Sequence, residues 1–207
     1  HARRAPENPA LIAGGVVITY RQLNDRSNQL ARHLIRLGIK PGARVGGWLS
    51  SPKNLLTALL GTLKAGAVFV PLEPEEPPLR LQSIVDDCGL SRVITDSSIT
   101  RQWPADATLL LCLEANSASL EAESSEEPAT GHGLADLACI LYRSSPTGKP
   151  QGILIDHPML GAEFSGTEYE LQSSDHVALG LSFAQEMAGF EALAALRAGA
   201  CIVAVPP

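Results

Sequence analysis

The sequence predicts a layered α/β fold, a largely parallel sheet flanked by helices. Two observations carry this. Short apolar runs alternate with helix-period segments along most of the chain, and parallel strands need helical crossovers of that kind. One of those runs, "AVFVPL", is apolar without interruption, as in a strand buried on both faces. At 45% hydrophobic and only 4% aromatic residues, the core is expected to be aliphatic.

Taken in order, "ITYRQLNDRSNQLARHLIRLG" reads as a helix. Thr19 caps it, Gln22 completes a capping box, and Gly38 ends it. Leu23, Leu30, Leu34 and Leu37 fall on one face. "ARVGGWLS" reads as a strand. "SPKNLLTALLGTLKAG" is a helix with Ser51 at the cap, Pro52 at its first position and Gly66 at its end. The strand "AVFVPL", the turn "EPEEPP", the helix "LRLQSIVDDCG" and the strands "SRVITD" and "TLLLCL" follow. Beyond them "EANSASLEAESSEEPATGHG" is polar, acidic and aperiodic, a solvated loop or flexible linker. "ADLACILYRSS" and "GILIDH" are strands around a short polar loop. "HPMLGAEFSGTEYEL" is expected as helix, and "HVALGLS", "AQEMAGFEALAALRAG" and "ACIVAVP" as strand, helix, strand. The organisation expected is a first α/β subregion over 1–113, an acidic linker over 114–134, and the start of a second subregion over 135–207. The sequence stops just after a strand, at Pro206-Pro207, which reads as an interruption of a larger unit.

Charge and composition narrow the function classes. The formal net charge is −6, which argues against a nucleic-acid partner. Asp106, Glu114, Glu121, Glu123, Glu126, Glu127 and Asp136 lie in a stretch without Lys or Arg. No apolar stretch reaches the roughly 20 residues that span a bilayer, and no charged-then-apolar start suggests a signal peptide. No membrane role and a cytoplasmic location are the expectation. Cys88, Cys112, Cys139 and Cys201 lack metal-ligand spacing and read as free thiols. The histidines show no HxxxH pattern, so no metal site is expected.

The segment "YRSSPTGKPQG", Tyr142 to Gly152, has the composition of a phosphate loop. It holds the hydroxyls of Ser144, Ser145 and Thr147, the cations Arg143 and Lys149, and Gly148. Such loops aim several backbone N–H groups at one anion. Yet GxxxxGK[ST] fails, with Arg143 in place of the first glycine and Pro150 in place of the Ser or Thr, and no GxGxxG is present. Composition alone leaves a plain surface turn and an anion site both open.

Longer stretches carry a family resemblance. "LKAGAVFVPLEPEEPPLRLQSIVDDCG" is similar to the "LKAGxAYVPLDPxYPxxRL" stretch of adenylation domains from nonribosomal peptide synthetases, within the adenylate-forming enzymes. "LACILYRSSPTGKPQGILIDH" lines up with "LAYxxYTSGTTGxPKGVxxxH", and "FEALAALRAGACIVAV" with a later family segment. The opening helix resembles the family's Tyr-x-x-Leu helix. The motifs come in the family's order over nearly the whole chain. The resemblance implies the amino-terminal portion of the adenylate-forming fold. It also implies a two-step reaction in which an amino-acid carboxylate attacks the α-phosphate of Mg-ATP and a carrier-domain thiol then takes the acyl group.

The chain departs from that pattern. Ser144, Thr147, Gly148, Pro150 and Gly152 match it, but Arg143 replaces Thr, Ser145 replaces Gly, Pro146 replaces a Ser or Thr and Gln151 replaces Lys. Ser145 restricts φ where the family uses glycine. Pro146 removes a backbone donor, and Gln151 removes a charge. In the amino-acid pocket, the resemblance puts Glu186 at the position of the family's Asp, with Met187 and Phe190 beside it. The alternative is a plain amphipathic helix with Glu186 solvated near its start. The chain is also far shorter than a complete adenylation domain. The expectation is therefore a truncated, catalytically inactive adenylation-like domain with no catalytic residues. It would need neither ATP nor Mg and would serve as a platform between condensation and carrier domains. A fragment of an active ATP-dependent domain and a protein-docking module are the alternatives.

Overall fold

The computed structural model describes residues 1–129, 137–143, 149–162, 171–180 and 188–205. Two strands that the apolar runs did not announce open the chain, β1 (Pro9–Ala13) and β2 (Val16–Thr19). They form an antiparallel hairpin closed by Gly14 and Gly15, at φ 56° and 80°. Two consecutive left-handed residues give the turn whose twist matches paired strands.

Helix α1 (Tyr20–Arg36) starts at Thr19, whose hydroxyl accepts from the Gln22 amide while the Gln22 side chain accepts from the Thr19 amide. This is the expected capping box. Gly38 stops the helix at φ 86°. Leu23, Leu30 and Leu34 are buried as expected, but Leu37 lies past the last helical residue and is 38% exposed. Then come β3 (Arg44–Trp48), α2 (Pro52–Lys64), β4 (Val68–Leu72), α3 (Pro78–Cys88) and β5 (Arg92–Thr95). Ser51 caps α2 and Gly89, at φ 59°, ends α3. Two short 3-10 turns precede β6 (Leu110–Cys112) and the one-turn helix α4 (Ser117–Glu121). The chain continues through β7 (Leu137–Arg143), β8 (Gln151–Asp156), α5 (His157–Ala162), β9 (His176–Leu179), α6 (Ala188–Ala198) and β10 (Cys201–Ala204).

The strands form two sheets, ordered β2-β1-β10-β9 and β6-β5-β3-β4-β7-β8. Among the described residues all pairings are parallel except the β1/β2 and β7/β8 hairpins. Each sheet takes strands from both sides of the acidic segment, so the expected division into two subregions does not follow the sheets. Helix α2 touches β1 of one sheet and β3 and β4 of the other, so α1 and α2 fill the layer between them.

Strand period 2 sorts the six-stranded sheet into two faces. Phe69, Ile94, Cys139 and Leu141 pack with α1 and α2. Val68, Val70, Val93, Ile140 and Tyr142 pack with Leu81, Ile84, Val85 and Cys88 of α3. Gly47 belongs to the first face, and a Cβ there would stand 2.4 Å from the Phe69 ring tip. Side chains such as Leu30, Leu34, Leu56 and Leu59, each at most 1% exposed, are worth roughly 1.5–3 kcal/mol apiece as an upper figure.

Over its described part the acidic segment keeps most of its side chains exposed, as expected, but its backbone is fastened to α1. The Asn28 side chain donates to the Ser125 carbonyl at 2.6 Å, and Arg32 donates to the Glu126 carbonyl at 2.8 Å. Gln29 reaches the Glu121 and Glu123 carbonyls, and Arg36 pairs with the Glu123 carboxylate at 2.6 Å. The polar face of α1 thus holds 121–127 as a strap, mostly through backbone acceptors.

Candidate active site

The loop singled out in the sequence joins β7 to β8 at the end of an antiparallel hairpin. In that register Arg143 stands opposite Gln151 and Tyr142 opposite Gly152. The Arg143 guanidinium donates to the Gln151 side-chain oxygen at 3.4 Å. Both residues are exposed, as are Lys149 and Gly152. A Cβ at Gly152 would meet Ile140 at 3.2 Å and the Tyr142 ring at 3.4 Å, so glycine lets the strands close over the ring.

Tyr142 leads into the loop and is held from two directions. Its hydroxyl donates to the Asp87 carboxylate at 2.6 Å. Burial and the acceptor Asp87 push its ionisation well above the usual phenol range. Its carbonyl accepts from Arg80 at 3.4 Å, and Arg80 is bridged to Glu76 at 2.7 Å. The proline-rich turn and α3 therefore fix the entry to the loop. Sequence reasoning missed Glu76, Arg80 and Asp87. Only the Arg-Leu pair opening the α3 segment hinted at them, since all three lie more than fifty residues before their partner.

Among the other expected site residues, Ser144, Ser145, Thr147 and Gly148 lie outside the described residues, as do Glu186 and Met187. Phe190 is in α6, with its side chain outside the described set. Helix α6 packs on β9 and β10 of the four-stranded sheet. The start of α6 and the β7–β8 hairpin thus belong to different sheets. Tyr20 anchors the end of α6, its hydroxyl donating to the Ala200 carbonyl at 2.8 Å.

Residues 1–207 match the family of AMP-binding enzymes over the whole sequence. The chain belongs to that family. It is 31% identical over 205 residues to tyrocidine synthase 3 of Brevibacillus parabrevis, covering 99% of this chain and 3% of that protein. It is 32% identical over 208 residues to the phosphinothricin tripeptide synthetase PhsC of Streptomyces viridochromogenes, covering 99% of this chain and 19% of that protein. The chain thus spans only a small part of the length of these relatives. Among solved structures, the nonribosomal peptide synthetase FmoA3 in an AMPPNP-bound form superimposes with a TM-score of 0.90 at 23% identity, over 100% of this chain and 22% of that one. The amino-terminal domain of FACL13 from Mycobacterium tuberculosis gives a TM-score of 0.87 at 23% identity, over 99% of this chain and 55% of that one. These likenesses establish the fold as the amino-terminal part of the adenylate-forming architecture.

Family members use ATP, so the fit of the loop to phosphate matters. Its described ends present the amide Gln151 where the family pattern has a lysine. Arg143 is turned onto that amide across the strand pair. Neither feature builds a phosphate cradle. Among the described residues no group of three or more His, Cys, Asp or Glu side chains converges to hold a metal ion. No helix among them is long and apolar enough to cross a membrane.

Proposed function

We propose that this adenylation-type domain has lost ATP-dependent carboxylate activation and serves as a folded platform between condensation and carrier domains of a cytoplasmic nonribosomal peptide synthetase. The observation that carries the reading is the Arg143–Gln151 pair. Catalysis of nucleotidyl transfer rests on positioned donors and charge around the phosphates. At the loop's mouth a lysine of the family pattern is replaced by a neutral amide, and the nearby guanidinium is directed to that amide. Ser145 and Pro146 remove backbone freedom and one donor from the intervening turn.

The retained Ser144, Thr147, Gly148 and Lys149 favour a second reading, in which the loop still embraces ATP and the chain is part of an active domain. Amino-acid-dependent pyrophosphate exchange by the full parent protein separates the two. The platform reading expects no exchange attributable to this module and no ATP binding at micromolar concentration by calorimetry. Robust exchange through this module would overturn it. Glu186, Met187 and Phe190 would in that event be the residues to vary for amino-acid preference.

A further inference from the structure

A cleft of about 310 Å³ opens between α1, α2 and the segment 113–121. That volume is at the lower end of the range of small-molecule sites, roughly 300–1,000 Å³. None of its lining residues belongs to the phosphate loop or to α6. Its apolar side is made by Leu30, Leu113 and Leu120. Leu30 is 1% exposed and Leu113 9%, so both sit behind the wall and the half-buried Leu120 supplies its accessible apolar surface.

Two cations line the same space, Arg26 on α1 and Lys53 in the first turn of α2. Neither side chain has an ion-pair partner among the described residues. A lysine in the first turn of a helix opposes the helix dipole. Asp96 faces that helix end, but it is 4% exposed and accepts from the Ser50 and Ser51 amides and from Asn54. Glu114, also at the cleft, has its oxygens engaged by Asn54 at 3.0 Å and by the Ser97 amide at 2.9 Å. Asp96 and Glu114 are therefore committed to the frame, whereas Arg26, Lys53 and the third carboxylate at the cleft, Glu121, form no ion pair among the described residues.

We infer that this cleft binds a small organic anion, a carboxylate on a short apolar body. The head sits at Arg26 and Lys53, and the body lies over Leu120, with the buried Leu30 and Leu113 behind it. Glu121, at the rim, opposes the anion and sets the upper limit of its affinity. One wall of the cleft is the segment leading into the strap on α1. Occupancy and docking of the strap therefore reinforce each other.

The test is a titration of the full chain with hexanoate, followed by backbone amide chemical shifts, with hexylammonium and hexanol as controls. The expected result is saturable shifts around 113–121 and along α1 and α2, with a Kd near about 1 mM. Arg26→Gln and Lys53→Gln should each weaken binding about tenfold. Glu121→Gln should strengthen it about twofold, because it removes a like charge. Unchanged melting temperatures of the variants would show that folding is not the cause. The inference is overturned if hexylammonium or hexanol binds as tightly, if Lys53→Gln binds hexanoate unchanged, or if no saturation occurs below about 20 mM. Pyrophosphate exchange does not enter this test, so its result stands whichever reading of the phosphate loop holds.

Discussion

Gly61 shows how a single missing methyl sets the spacing of the layer between the sheets. A Cβ there would lie 2.9 Å from Leu30 Cδ2, 3.0 Å from its Cγ and 3.1 Å from its Cβ. The last of these atoms cannot swing away, because it is fixed to the α1 backbone. Alanine is otherwise the better helix former by about 1 kcal/mol, so propensity alone predicts that Gly61→Ala stabilises. The clash predicts the reverse, a net loss of about 1–3 kcal/mol, since inserted volume in a packed core forces backbone shifts. Urea denaturation of Gly61→Ala decides the sign. Gly180 is the control: a Cβ there meets nothing within 4 Å, and alanine should change stability by less than about 0.5 kcal/mol. Gly152 follows the same logic more mildly at the candidate site, where closeness to Ile140 Cγ2, at 3.2 Å, rather than backbone conformation favours glycine.

At the scale of elements, the strap of residues 121–127 on α1 makes the sharpest prediction. Glu123 pairs with Arg36, and the buried His33 Nδ1 sits 2.9 Å from an Arg36 nitrogen and 3.7 Å from a Glu123 oxygen. Burial first, and then Arg36, hold the His33 ionisation below its ordinary value against the opposing pull of Glu123. His33 is therefore neutral near pH 7 and accepts from Arg36, and its contact with Glu123 is not an ion pair. As pH falls through about 6.5 the unfolded chain takes up this proton before the folded one. Stability from His33 is present above that value and declines below it. Denaturation at pH 7.5 and 5.5 should show a loss that His33→Gln flattens. Glu123→Gln should also speed cleavage of 121–127 by a glutamate-specific protease several-fold, as strap opening becomes easier. An unchanged cleavage rate would mean that the backbone carbonyls hold the strap unaided. None of this was legible in the sequence, because most of the strap's acceptors are backbone carbonyls and its one side-chain acceptor, Glu123, lies 87 residues from Arg36. The first two helices and their caps were legible, because Thr19, Gln22, Gly38, Ser51 and Pro52 act locally. The β1–β2 hairpin was available too, in the Gly14-Gly15 pair between apolar runs, but its strands are short. At the candidate site the loop and its departures could be read from residue types. The facing of Arg143 and Gln151, and the grip of Asp87 and Arg80 on Tyr142, depend on strand register and on contacts across the sheet.

For the whole molecule, the buried titratable groups decide how it responds to alkali, and they act in opposite directions. Lys64 lies between α1 and α2, its ammonium donating to Asn24, Ser27 and Asn28 side-chain oxygens at 2.7–2.9 Å. Burial pulls its pKa down to about 8. Between that value and about 10.5 the unfolded chain holds a proton that the folded one has released, so Lys64 alone makes stability rise with pH. The thiols and phenols do the opposite. Burial pushes Cys88 up to about 11 and Cys139 up to about 12, and raises Cys201. Tyr20 and Tyr142 are raised as well, by burial first. Once pH passes the ordinary thiol value, near about 8.5, the unfolded chain loses protons that these groups keep when folded. Three thiols and two phenols outweigh one amine. Stability should therefore pass through a shallow maximum between about pH 8 and 9 and then fall steeply, as the unfolded state comes to bind fewer protons than the folded one. Denaturant titrations from pH 7 to 10.5 measure this directly. Replacing Cys88, Cys139 and Cys201 together by Ala should flatten the early part of the fall near pH 9, leaving the tyrosines to produce a later one near pH 10. A fall of equal steepness near pH 9 in that variant would show that these buried thiols do not set the alkaline limit of the fold.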